Sequence, residues 1–108
     1  MSAIVVFTYV AKPDAVGRNV ALVEKFKAWI QKRQDLFKGF KSYQVFNKFA
    51  GGKFGEFVEM AEFETLPDLE KSFAAVMADK EYLSTWWTEM TDIMIPGTLG
   101  VELWNSVP

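Results

Sequence analysis

The chain has 108 residues, half of them hydrophobic and 16% aromatic, with a formal charge of -2. That length suits one domain spanning 1–108, and the apolar content excludes disorder. No block of like charges marks a nucleic-acid surface, and the longest apolar run, Ala3–Val10, is too short to span a membrane.

Ala3–Val10 is dense in β-branched and aromatic residues and halts at Lys12-Pro13-Asp14, which predicts a strand. Both alternating faces are apolar: Ile4 and Val6 on one, Val5, Phe7 and Tyr9 on the other. A central strand covered on both sides has this pattern. The N-terminus carries no basic region or cleavage site, so no signal peptide is expected and a cytoplasmic location is. A helix is predicted over 15–38, where Leu22, Phe26, Trp29, Arg33 and Leu36 recur at helical spacing beside Val23, Ile30 and Phe37. Asp14 and Asn19 are both candidate N-caps, and Gly39 stands where a C-terminal glycine belongs.

Phe40–Phe49 and Phe54–Phe63 read as two strands around a four-residue turn, Ala50-Gly51-Gly52-Lys53. With Phe49 opposite Phe54, Tyr43 pairs with Met60 and Val45 with Val58 on one face. On the other face Phe46 pairs with Phe57, Gln44 with Glu59 and Ser42 with Ala61. A slip of one residue would mix the two sets. Thr65-Leu66-Pro67-Asp68 is a helix start, with Thr65 as cap. An apolar seam follows through Leu69, Phe73, Val76, Leu83, Trp87, Met90 and Met94. It belongs to one long helix or to two with a bend near Ala78-Asp79. Pro96-Gly97 ends it, and Leu99–Trp104 is the last strand.

The order β, α, hairpin, α, β with right-handed crossovers predicts a ferredoxin-like βαββαβ domain: a four-stranded antiparallel sheet with two helices on one face. The second sheet face is then bare yet aromatic, carrying Phe46, Phe57, Phe63 and Trp104. Such a face calls for a cover, and the simplest is the same face of a second chain, giving a homodimer.

Three stretches carry a family resemblance. Lys38-Gly39-Phe40-Lys41-Ser42-Tyr43-Gln44-Val45, Phe57-Val58-Glu59-Met60-Ala61-Glu62-Phe63 and Asp79-Lys80-Glu81-Tyr82-Leu83 with Trp87 and Met90 resemble the dimeric α+β barrel superfamily. That group includes antibiotic-biosynthesis monooxygenase-like, EthD-like, NIPSNAP-like and stress-responsive barrel proteins. The resemblance implies two sheets face to face and a pocket between sheet and helices in each protomer. It supplies no catalytic set that matches this chain.

Cysteine and histidine are both absent. That removes thiolate nucleophiles, zinc-thiolate sites, the usual haem ligand and the usual neutral-pH base. No metal and no cofactor is expected. Glu59, a carboxylate between Val58 and Met60, is the candidate acid or base, because an apolar setting raises its pKa. It is expected to face an apolar cavity near Gln44; the alternative is a structural bond to Gln44. Gln44, Phe46, Phe57, Phe63, Glu102, Trp104 and Trp87 are the candidate ligand contacts. Glu102 with Trp104 also reads as an interface contact, and Trp86-Trp87 as plain packing. The glycine pair at 51–52 lacks the helix and Lys-Ser/Thr of a phosphate loop. Three functions remain open: a cofactor-free oxygenase or isomerase acting on a small apolar or aromatic molecule, a non-catalytic binder of one, and a structural or stress-related dimer with a solid core.

Overall fold

A computed structural model describes residues 2–48, 52 and 54–108. Strand β1 (Ala3–Val10) lies inside the sheet and stops where Pro13 removes a backbone donor. Helix α1 (Val16–Lys32) follows, then β2 (Phe40–Asn47), β3 (Glu56–Phe63), α2 (Leu66–Met77), a π-helical segment (Tyr82–Trp87), α3 (Thr88–Ile93) and β4 (Gly100–Asn105). The sheet order is β2-β3-β1-β4 with every pair antiparallel. This is the expected ferredoxin-like α+β arrangement.

The first helix is shorter than the periodicity predicts. It ends at Lys32, and Arg33 leaves helical geometry at φ -117° and ψ 51°. There its guanidinium reaches Asp35, Asp79 and Glu81. Residues 34–36 form a turn, and Gly39 continues with φ +76°, where a Cβ would meet the Asp68 carboxyl at 2.4 Å. Neither candidate N-cap acts as one; Asn19 is buried and turns inward. At α2 the Thr65 hydroxyl accepts from the Asp68 N–H at 3.2 Å, as the sequence predicts. The second helical stretch breaks at Ala78-Asp79 and resumes at Lys80.

The hairpin register is one residue away from the expected one. Val45, not Gln44, stands opposite Glu59; Tyr43 faces Ala61 and Phe46 faces Val58. The four-residue turn falls mostly outside the described residues, but its flank explains the slip. Gly55 is not a strand residue: its φ is +80°, its carbonyl accepts from Ala11 N–H at 2.8 Å, and a Cβ there would meet the Ala11 oxygen at 2.7 Å. Pairing therefore closes at Lys48 and Glu56, and the longer loop shifts the partners of residues 42–47 by one, while a bulge between Phe40 and Ser42 leaves Phe40 opposite Phe63 as expected.

The slip reassigns the faces. Val5, Phe7 and Tyr9, with Tyr43, Val45, Phe57, Glu59, Ala61 and Phe63, turn toward the helices. Tyr9, Phe57, Ala11, Ile93 and Met94 form one buried cluster, and Ala3, Val5, Phe63 and Leu69 a second. The outer face instead carries Ile4, Val6, Gln44, Phe46, Met60, Glu102 and Trp104 by register and alternation. Phe57 and Phe63, expected on the outer face, are 2% and 3% exposed in the core. No described helix is long and apolar enough to cross a membrane.

Candidate functional site

Glu59 points from β3 into the space between sheet and helices. The flanking strands bring a tyrosine from each side. Tyr9 is paired with Phe57 and Tyr43 with Ala61, so each stands one pleat diagonal to Glu59, within reach of a long side chain. Both hydroxyls donate to the carboxylate, Tyr43 to Oε1 and Tyr9 to Oε2. Behind them, Asn19 Nδ2 donates to the Tyr9 hydroxyl at 2.8 Å. Asn19 reaches it because it lies on the inward stripe of α1 with Val23 and Ile30, all buried.

The space in front of Glu59 is a cavity of about 190 Å3. Its polar lining is Glu59, Tyr43, Asn19, Tyr82 and Ser72; the remainder is apolar and largely aromatic. Phe26 is the centre of the aromatic wall, 5.5–5.6 Å from the rings of Tyr43, Trp29 and Trp86 and 6.2 Å from Tyr82. The π-helical segment (Tyr82–Trp87) adds the rest. Its wider turn changes the helical phase, and Tyr82, Trp86 and Trp87 all reach the cavity. The indole N–H groups of Trp29 and Trp86 are buried without an acceptor among the described residues, packed instead against aromatic rings.

The wall controls the charge. Burial pushes the Glu59 carboxyl above the ordinary glutamate value, against the Tyr43 and Tyr9 hydroxyls that pull it down. Burial, and then the charge of Glu59, hold the Tyr9 and Tyr43 phenols well above the ordinary tyrosine value. Tyr82 is pushed up to about 12, by burial first and then by Glu59. The phenols therefore remain donors to the carboxylate. A carboxylate offers about four lone-pair sites; two are taken, leaving room for a ligand.

Of the residues singled out by sequence, Glu59, Phe63 and Trp87 line the cavity. Phe57 lies in the core behind it, stacked on Tyr9 at 5.6 Å. Gln44 and Phe46 fall on the opposite face because the register slips. Glu102 and Trp104 are there too, opposite Val6 and Ile4, with Trp104 Nε1 donating to Glu102 at 3.1 Å. Sequence reasoning missed Tyr9, Tyr43 and Asn19. The available signal was an amide on the apolar stripe of a helix, four residues before Val23. Trp86, read as lying beside the seam, is part of the wall. No three potential ligand side chains cluster as a metal site among the described residues.

No family model and no curated protein matches the chain. Solved structures do. A NIPSNAP family protein of unknown function from Agrobacterium tumefaciens is 23% identical, with a TM-score of 0.71 over 95% of this chain and 86% of its own. A NIPSNAP-like domain protein from Burkholderia xenovorans is 16% identical, with a TM-score of 0.74 over 98% and 85%. SnoaB, a cofactor-independent oxygenase from Streptomyces nogalater, is 12% identical, with a TM-score of 0.66 over 97% and 92%. The chain therefore shares its fold with these NIPSNAP and oxygenase structures.

Proposed function

We propose that the protein is a small-molecule enzyme of the cofactor-free oxygenase or isomerase type, acting on an apolar or aromatic substrate in the cavity before Glu59. One observation carries this reading: a single buried carboxylate, held by two tyrosine hydroxyls, on the floor of an aromatic cavity. Glu59 is 9% exposed, and desolvation makes it a stronger base than a glutamate in water. It accepts a proton from a weakly acidic C–H or O–H of the substrate. The substrate anion then takes the proton back at another atom, an isomerisation, or its carbanion carbon adds dioxygen to form a peroxide anion, which takes the proton back from Glu59 and loses water to leave a carbonyl where a CH2 group stood. Tyr43 and Tyr9 fix the carboxylate, and Asn19 fixes Tyr9. Trp87 and Phe63 contact the substrate's apolar body.

The fold shared with a cofactor-independent oxygenase supports the reading as analogy of scaffold. The cavity weighs against a solid structural core. A second copy of the chain covers the outer sheet face in this proposal, since Phe46 and Trp104 are 51% and 45% exposed there. A cytoplasmic setting goes with it. The test is turnover: wild-type protein and Glu59→Gln are incubated with a panel of enolisable and phenolic aromatic compounds, and oxygen uptake and product isomers are recorded. Turnover by wild type and its loss in a folded Glu59→Gln support the proposal. A fully active Glu59→Gln removes it.

A further inference from the structure

Several acids nearer the surface are paired with a basic side chain. Glu56 and Glu62 have lysine partners, and Asp79, Glu89 and Asp92 have arginine partners. Glu59, the buried one, has only neutral donors: the hydroxyls of Tyr43 and Tyr9. Among the described residues, no lysine or arginine lines its cavity. A carboxylate taken out of water without an opposite charge is costly, and proteins pair such charges or neutralise them. Here the fold leaves the position facing Glu59 as open space.

Aromatic rings make up part of the wall. The rings of Phe26, Tyr43, Tyr82, Trp86 and Trp87 line the cavity, and aromatic faces carry negative potential that attracts cations. An anionic ligand would meet a carboxylate and π-faces with no positive group to receive it. A neutral ligand would strip the last water from Glu59 and give no charge in return. A protonated amine supplies the missing charge and up to three donors for the free lone pairs.

We infer that the cavity takes an organic ammonium ligand, its charged nitrogen against Glu59 and its apolar body among the aromatic rings. This rests on the cavity being the ligand site, and it narrows the substrate class to amines.

A charge series on one carbon skeleton tests it. Calorimetric titration of wild-type protein at neutral pH uses 3-phenylpropylamine, 3-phenylpropan-1-ol and 3-phenylpropionate. The amine is expected to bind tighter than the alcohol by about tenfold or more, with the propionate weakest. In Glu59→Gln the preference for amine collapses while alcohol binding changes little. Equal or tighter binding of the alcohol by wild type overturns the inference, and this comparison needs no variant. A Glu59→Gln protein that keeps the full amine preference also overturns it. Binding without charge preference removes the ammonium inference and leaves the cavity as a ligand site; no binding by any of the three removes both.

Discussion

Glu59 sits where two opposing effects meet, and burial outweighs the hydrogen bonds. Its pKa is raised by burial despite two phenol hydrogen bonds. The folded protein therefore holds the proton more tightly than the unfolded chain does. This carboxyl's contribution to stability is full below the ordinary glutamate value and is lost as pH rises through the raised one. Glu59→Gln should gain stability on wild type across that window, as urea unfolding at several pH values would show; a wild-type advantage that grows with pH would mean a depressed pKa. Tyr43→Phe removes one of the hydroxyls that favour the charged form. It should drive the Glu59 carboxyl higher still, which NMR titration of the side-chain carboxyl reads directly. Phe57 has a different role. It is buried and stacked on Tyr9, so Phe57→Ala should cost about 3–5 kcal/mol through transfer and cavity terms. Phe57→Asp should unfold the chain rather than split a dimer. Glu59 was legible as a site residue because it is a carboxylate between Val58 and Met60 inside a strand. Its tyrosine partners were not, since they come from strands far apart in sequence.

The π-helical segment (Tyr82–Trp87) is held in place at its start. Asp79 accepts a hydrogen bond from the Tyr82 N–H at 3.0 Å and takes two more from Arg33 at 2.9 and 3.2 Å. Arg33 also lies over the Trp29 ring, 5.5 Å from its centroid. End of helix, start of helix and aromatic wall are thereby joined at one point. Asp79→Ala should remove a cap of about 1 kcal/mol and loosen Tyr82 and Trp86 from the cavity. Thermal unfolding and tryptophan fluorescence check the two effects; an unchanged spectrum with a lowered Tm would leave Asp79 as a cap alone. The guanidinium of Arg33 holds the Asp79 carboxyl below the usual carboxylate range. Its contribution is present above the ordinary aspartate value and is lost as pH falls through the lowered one. The bend near Ala78-Asp79 was legible in the break of the apolar seam. The π turn was not, because the seam's spacing places Trp87 correctly and says nothing of an extra residue in one turn. The early end of α1 was hidden too, since Leu36 and Phe37 keep helical spacing while packing from a turn.

The whole molecule has one sheet face covered by helices and one without a cover in the chain itself. On that outer face Met60 stands opposite Val6, Trp104 opposite Ile4, and Phe46 opposite Val58. If a second copy covers it, Phe46→Asp should give a folded monomer, because the change buries an unpaired charge only in the dimer. Sedimentation velocity and circular dichroism read the two properties separately. A wild-type protein that is monomeric at micromolar concentration would sink the dimer. In such a dimer the interface aromatic is Phe46, whereas Phe57 belongs to the core.

Local rules determined much of this protein from sequence alone. Strand β1 followed from β-branched density, and α2 from a Thr65 cap and a proline. Together these left the ferredoxin-like topology as the natural closure, with short right-handed connections. What only the tertiary structure decided was parity. Gly55 is drawn out of β3 by its bond to Ala11, at the far end of another strand, and the longer loop shifts the partners of residues 42–47 in β2 by one residue. Side chains in a strand alternate with a period of two, so that single residue moved Gln44 and Phe46 away from the cavity and brought Tyr43 to Glu59. The position of a loop glycine against a distant carbonyl is a long-range contact, and no local pattern in the sequence encodes it.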